Sequence, residues 1–462
     1  MSVLWTETDL IQATNGIFSY STSIKGNGIS IDTRTIEKGD IFVAIMGENS
    51  DGHAYVQKAL DAGASCAIVS HPISEIPNTA PILYVKDTLQ ALTDMGRYAR
   101  NRFTGKVIAI TGSVGKTTTK EMLKTTLSAY GTVHAAAGSH NNHLGVPLTL
   151  ARLPKDTDFC VCEIGMNHIG EIAPLATLVS PHIAIITEVA SSHLGYMENL
   201  DNIAKEKSQI MTALPPQAVT LVPESIYGLE IFQNAAKQYQ VHLQTVGTSV
   251  AASIQISNIN LGAQQSNFQI SIQKQDYAFT LSSPGEHLVR NAGLVIGAIH
   301  ALRLDIKDAI LGLAVFQTGS GRGRISPLQT VKGFILDESY NASTLSIRTA
   351  LQTLSLLAAA RKIVVLGDIM ELGDYSEQEH LSLLPHIISD ADLVFCCGPR
   401  MKNVFEQLPP SLRGAWCATA QELVPFIRNI LQENDTILVK GSNSMRMNSI
   451  VTTLTAPEIR KN

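Results

Sequence analysis

The feature that most constrains this chain is a glycine-rich loop, Thr111-Gly112-Ser113-Val114-Gly115-Lys116-Thr117-Thr118-Thr119. It lies between the aliphatic run Val107-Ile108-Ala109-Ile110 and a helical pattern over 117–130. A buried strand, a tight loop and a helix in that order converge backbone N–H groups and the positive end of a helix on one point, a geometry that binds phosphate. Gly112, Ser113 and Gly115 allow the turn, and Lys116 supplies charge for the β- and γ-phosphates. Thr117 offers a hydroxyl to Mg2+, and Thr118 continues the motif into the helix. The usual spacing would put a glycine at position 110, where this chain has Ile110, so the loop is a variant of the common form. ATP is the expected ligand, held by a parallel α/β sheet.

The rest of the chain supplies more than one such sheet. At 462 residues it exceeds a single ordinary domain, and 45% hydrophobic against 16% charged residues provides for packed cores rather than disorder. Short alternating segments at 28–32, 40–45 and 67–69, with a helical pattern over 54–62, read as a small α/β module. A helix over 88–102, with Leu89, Leu92, Met95, Gly96 and Ala99 on one face, begins the next unit. From 106 the rhythm is strand, loop, helix, with strands at 159–164, 182–187 and 218–222. A β-meander pattern covers 241–281, and a helix 285–302. After a glycine-rich hinge, Thr318-Gly319-Ser320-Gly321-Arg322-Gly323-Arg324, runs at 334–336, 362–366, 393–395 and 436–439 form a second doubly wound sheet. The expected architecture is three α/β domains over 1–86, 87–318 and 319–462: a small N-terminal module, a central phosphate-loop domain and a C-terminal Rossmann-like domain.

A net charge of −5 leaves no basic stripe for nucleic acid, so an anionic ligand must be met by loops and a few cations. Cys66, Cys160, Cys162, Cys396, Cys397 and Cys417 lack zinc-ligand spacing and read as buried reduced thiols. With no basic, apolar leader and no apolar run of spanning length, a cytoplasmic protein without a membrane segment is expected.

Three polar residues downstream of the loop stand at or just beyond strand ends, where open α/β sheets place ligands. Glu163 closes the run Cys160-Val161-Cys162, His193 follows Ile185-Ile186-Thr187 by a short loop, and Lys207 lies on a helix over 200–211. Together they suit a metal and phosphoryl site.

These motifs, with Asn141-Asn142-His143-Leu144-Gly145, Glu163-Ile164-Gly165-Met166-Asn167, Ala204-Lys205-Glu206-Lys207, Pro284-Gly285-Glu286-His287, Asp337-Glu338-Ser339-Tyr340-Asn341-Ala342, Gly367-Asp368-Ile369-Met370-Glu371-Leu372-Gly373 and Lys440-Gly441-Ser442-Asn443, follow one order along nearly the whole chain. In this the sequence resembles the Mur ligases, and among them the dipeptide-adding type.

The resemblance implies an ATP-dependent amide ligase that joins D-alanyl-D-alanine to UDP-N-acetylmuramoyl-tripeptide through an acyl phosphate, in peptidoglycan synthesis. It implies that Thr117 and Glu163 hold one Mg2+, and that His193 serves a second with a carbamylated Lys207, Lys205 being the rival lysine. Asn291 would meet the adenine, Arg322 or Arg324 the γ-phosphate (Arg324 aligning better), and Asp337 and Tyr340 the ribose. At the substrate end, Asp32-Thr33-Arg34 and Gly47-Glu48-Asn49-Ser50-Asp51-Gly52-His53 resemble UDP-binding segments, placing Thr33, Arg34, Gly47, Asp51 and His53 there together with Asn142. A monomer is expected. The Asp-Asn-Pro-Arg motif of the third-residue enzyme is absent, and folylpolyglutamate synthetases, which share the scaffold, would lack the N-terminal segments. A P-loop switch without ligase activity would need neither Lys207 nor a third domain. Two departures from the family pattern stand out: Ser343-Thr344 replaces Asn-Pro, and Glu188 replaces the asparagine of Thr-Asn.

Overall fold

The structure is a computed structural model that describes residues 3–20, 23–47, 50–73, 76–77 and 79–456. Glu48 and Asn49 of the candidate UDP segment therefore lie outside the described residues. Three α/β sheets follow one another along the chain, as the alternation of aliphatic runs and helices leads one to expect.

The N-terminal sheet runs Ile17–Phe18, Ile82–Tyr84, Cys66–Val69, Asp40–Val43, Gly28–Ser30, all parallel except its first pair. Its core joins Trp5, Leu10 and Ile41 to Leu92 and Met95 of the helix Thr88–Arg102, and to Leu148 and Ala151 of the helix Gly145–Ala151. The helix Thr88–Arg102 starts on an Asp87 cap that accepts the Gln90 N–H. Its buried face includes Ala91, while Leu89 of the expected stripe is only half-buried.

The central sheet has nine strands. Val133–Ala135, Phe159–Glu163, Lys106–Thr111, Ile183–Ile186, Val219–Pro223 and His242–Gly247 lie side by side in parallel. The 241–281 pattern divides: its first strand joins the parallel set, and Ile254–Leu261, Ser266–Ile272 and Gln275–Leu281 extend the same sheet, mutually antiparallel. Continuous aliphatic runs such as Ile183–Ile186 are buried on both faces, the price of a parallel sheet covered by helices. The C-terminal sheet orders Arg324–Pro327, Phe334–Glu338, Asp435–Lys440, Arg361–Gly367, Leu393–Cys397, Arg413–Cys417, with only the first strand antiparallel.

All six cysteines are unpaired thiols, and five are buried in strands. No helix among the described residues is long and apolar enough to cross a membrane.

Candidate active site between the central and C-terminal domains

Strand Lys106–Thr111 and strand Ile183–Ile186 are neighbours, and the phosphate loop leaves the first of them. Gly112 sits at φ +149°, and a Cβ there would lie 2.0 Å from Thr187 Oγ1, so only glycine lets the loop turn against the next strand. The strand continues through Ile110 and Thr111, so the turn itself falls to Gly112–Gly115, and Gly115 (φ +88°) precedes the helix Lys116–Leu127. Ile110 is a buried core residue, which is why a glycine is not needed there.

A cavity of about 610 Å3 opens over this loop, walled on one side by the central domain and on the other by the C-terminal domain. Its lining includes Gly112, Ser113, Gly115, Lys116, Thr117, Thr118, Asn142, Glu163, His193, Lys207, Asn291 and Tyr340, so sequence-derived candidates far apart in the chain share one space. Thr117 Oγ1 donates to Glu163 Oε2 (2.7 Å), and Asn141 Nδ2 donates to Glu163 Oε1 (2.7 Å). A buried carboxylate with a threonine hydroxyl and an amide is an oxygen donor set suited to a hard divalent cation. Lys116 Nζ donates to Gly112 O (2.7 Å), and desolvation pushes its ammonium below the usual lysine range.

Lys207 is more extreme. It is 2% exposed, and burial, then repulsion from Lys116, hold its amine well below the ordinary value, against a smaller opposing pull from Glu206. On the helix Leu200–Ser208 residues two apart point to opposite sides, so Lys205 is exposed while Lys207 faces the cavity. Glu206 is committed elsewhere, accepting the Gly170 (2.9 Å) and Ile172 (2.8 Å) N–H groups.

Two nucleotide-site expectations need correction. Arg322, not Arg324, lines the cavity: it donates to Ser139 Oγ (2.7 Å) and stacks 3.9 Å over the Tyr340 ring. Arg324 is exposed on the edge strand Arg324–Pro327, outside the lining. Asp337 faces away as well. Its carboxylate accepts the Gly321 N–H (2.7 Å), Ser320 Oγ (3.2 Å) and Ser339 Oγ (2.5 Å), so it fastens the hinge loop that carries Arg322. Strand alternation turns its neighbour Glu338 into the cavity instead, paired with Lys440 (3.1 Å).

Several residues in or behind the cavity wall carried no site role from sequence. Lys120, fully buried, donates to Ala136 O (2.6 Å) and Gly138 O (2.5 Å), anchoring the loop that presents Ser139 and Asn141. Glu188 points to Arg290 (3.5 Å) rather than to the Glu163 pocket, and burial raises its carboxyl. His287 is half-buried, with a buried, unpartnered Nδ1, and desolvation lowers it to about 4. Ser343 caps the helix Thr344–Leu356 in a capping box with Ser346, so Ser-Thr for Asn-Pro swaps one good cap and first helical residue for another.

The N-terminal candidates stand apart from the cavity. Arg34, with an 82% exposed side chain, is paired to Asp32 at 2.5 Å, and Thr33 is half-buried beside it. The Gly47 N–H bonds Ser50 O (2.9 Å), and Asp51 caps the short helix Gly52–Tyr55. Among the described residues one cluster of metal-ligating type stands out, Asp51, His53 and His71. His53 Nε2 accepts the Ser70 N–H (2.9 Å), so the ring proton is on Nδ1, facing Asp51 Oδ1 at 2.7 Å. A cation at Nδ1 would need the proton moved to Nε2, against that N–H, so the cluster reads as a turn lock.

Comparison with known proteins agrees with this geometry. The Mur ligase catalytic domain matches residues 25–99, the Mur ligase middle domain 110–299, and the Mur ligase glutamate ligase domain 323–443. The UDP-N-acetylmuramoyl-tripeptide--D-alanyl-D-alanine ligase of Rickettsia prowazekii is 32% identical over 93% of this chain and 96% of its own. The enzyme of that name from Escherichia coli is 31% identical over 93% of each chain. A crystal structure of MurF from Acinetobacter baumannii superposes with a TM-score of 0.87 at 33% identity, covering 98% of both chains. With three matched domains in order and full-length relatives of one kind, the chain belongs to the Mur ligase family.

Proposed function

We propose that this chain adds D-alanyl-D-alanine to UDP-N-acetylmuramoyl-tripeptide at the expense of ATP, as its relatives are named for doing. The observation that carries the reading is the convergence of Lys116, Lys207 and Arg322 with the Thr117–Glu163 pair in one interdomain cavity. Bringing a substrate carboxylate against a triphosphate sets two anions together, so cations and alignment carry most of the catalysis.

The substrate carboxylate oxygen attacks the γ-phosphorus, the bond to the β-phosphate oxygen breaks, and an acyl phosphate and ADP form. The neutral amine of the incoming dipeptide then attacks the acyl carbon, the C–N bond forms, a proton is lost and phosphate leaves. Backbone N–H groups of Gly112–Gly115 and the Lys116 ammonium hold the β- and γ-oxygens. Arg322, stacked on Tyr340, brings a further cation from the C-terminal domain. Asn291, whose Oδ1 would lie 3.4 Å from a Cβ on Gly115, stands beside the loop, and by likeness to the family it would contact the adenine.

One Mg2+ would be held by Thr117 and Glu163, and a second by His193 with Lys207 as its carbamate; they would supply charge neutralisation to the phosphates. A lysine whose amine desolvation holds well below its ordinary value is suited to that modification: the lone pair of its neutral form attacks CO2, the N–C bond forms, and the nitrogen's proton is released to leave a carbamate anion. The N-terminal domain, with Thr33, Arg34, Gly47, Asp51 and His53, would bind the UDP end. The C-terminal domain would receive the dipeptide, and Asn142 would contact the growing substrate. The enzyme would act in the cytoplasm, as a monomer.

The decisive assay measures ADP release with UDP-N-acetylmuramoyl-tripeptide, offering D-alanyl-D-alanine or a diamino acid. Turnover with the dipeptide alone is expected; turnover only with the diamino acid overturns the assignment.

A further inference from the structure

His193 reaches across the seam between the domains. It follows strand Ile183–Ile186, sits in the left-handed region (φ +62°), and precedes the short helix Leu194–Met197. Its Nδ1 is buried and lies 2.5 Å from Glu371 Oε2 of the C-terminal domain, a close contact that is bent rather than in line. Glu371 is also left-handed (φ +65°), so two non-glycine residues accept strained backbone where they meet. A ring nitrogen bearing a lone pair would repel a carboxylate at that distance, so the proton belongs on Nδ1. Nε2 then carries the lone pair, and it has no hydrogen-bond partner among the described residues. The ring is a quarter exposed, and it lines the cavity.

We infer that Glu371 is a positioning residue: by docking with the C-terminal domain it fixes His193 in the Nδ1–H tautomer and aims the Nε2 lone pair into the cavity. Carboxylates commonly orient metal-binding imidazoles in this way. Here the carboxylate belongs to the other domain, so the ligand is oriented only when the domains are together. Other contacts hold the same seam. Gly195 N–H donates to Glu371 O (3.0 Å), Tyr375 Oη donates to Glu198 O (3.0 Å), and Ser191 Oγ donates to Glu379 Oε2 (2.9 Å). Gly195 and Gly373 meet face to face: a Cβ on Gly195 would lie 2.8 Å from Gly373 N. That His193 then serves a cation rests on the function proposed above; the tautomer does not.

The test uses full-length protein labelled with 15N-histidine, the His193 signals being assigned by their loss in His193→Asn. Wild type should show the Nδ1–H tautomer, and Glu371→Gln, whose amide oxygen accepts the same proton, should keep it. Glu371→Ala should shift to the Nε2–H or a mixed form, and Gly195→Ala, which wedges the seam open, should do the same. Glu371 is surface-accessible enough that its loss leaves the fold intact, which the other histidine signals will report. An unchanged tautomer in Glu371→Ala overturns the inference. In parallel, Mn2+ titration in the presence of ADP should show a site lost in His193→Asn and weakened about 10- to 100-fold in Glu371→Ala. Unchanged Mn2+ binding in His193→Asn would sink the cation reading alone, leaving the tautomer result to decide the role of Glu371.

Discussion

The cavity over the phosphate loop and the turn around Asp51 each enclose a histidine nitrogen, and they treat it in opposite ways. In the N-terminal turn, His53 has both ring nitrogens satisfied, by Asp51 and by the Ser70 N–H. In the cavity, His287 has an unpartnered Nδ1, Lys207 is a buried amine whose largest charge influence is another lysine, and Arg322 is shared between Ser139 and Tyr340. Buried polar groups left unsatisfied cost about 1–3 kcal/mol each, and a fold retains them where a ligand supplies the missing partner. The turn is finished without its ligand; the cavity is not. The difference teaches that the N-terminal turn is satisfied by its own partners, while the cations gathered in the cavity suit an anion.

Predictions follow that contrast in order of size. Lys116→Ala should lower the rate of ADP release by at least about 10²–10³-fold, as expected when a preorganised charge on the transferring group is lost; near-normal turnover would remove the ATP site from this cavity. Lys207→Ala should be comparably inactive and partly rescued by short carboxylic acids, while Lys205→Ala, altering an exposed residue, should retain activity. Equal losses in the two would undo the assignment of Lys207.

Arg322→Ala should cost about 10²-fold in kcat, and Arg324→Ala little; the reverse ranking would restore Arg324. His287 gives a pH signature. Its folded value of about 4 lies below the ordinary 6.5, so the unfolded chain takes up a proton that the fold refuses. Stability present above pH 6.5 is therefore lost as pH falls toward 4. By pH 5 the loss amounts to about 2 kcal/mol, and unfolding of His287→Gln at pH 7 and pH 5 should lack it. Smallest is Arg34→Ala, expected to raise KM for the UDP substrate about 10-fold with kcat unchanged. A fall in kcat instead would place Arg34 in the chemistry rather than on the binding surface.

How much of this was legible depended on whether a feature was local. The phosphate loop reads directly, because strand, turn and helix are consecutive, and the three-domain α/β architecture follows from the rhythm of aliphatic runs. Lys207 could be preferred to Lys205, yet only the helix's facing puts one in the cavity and the other in solvent. Asp337 and Glu338 show the limit: adjacent carboxylates on a strand face opposite ways, and register decides which is the wall and which the fastener. The choice of Arg322 over Arg324 turns on the hinge itself: Gly321 and Gly323 take left-handed backbone, so Arg322 sits in the turn between them while Arg324 opens the edge strand. Glu371, Ser139 and Lys120 carry no local signal, since their significance lies in partners far along the chain. Ser343 was legible in principle, because a serine before a helix is a cap whatever family pattern it interrupts.

The bare contact of Gly195 with Gly373 bears on timing. Two glycines pressed together bury almost no apolar surface, so at this point the seam gains from polar bonds worth about 0.5–1.5 kcal/mol apiece rather than from apolar burial. Such a joint closes without committing the protein to stay closed. Ligands bridging both walls would supply the bias toward closure, and once the phosphate and ADP no longer bridge them the joint has little reason to persist. The rate at which products escape should therefore be set by how quickly the nucleotide lets go, with the protein–protein joint itself offering no appreciable delay.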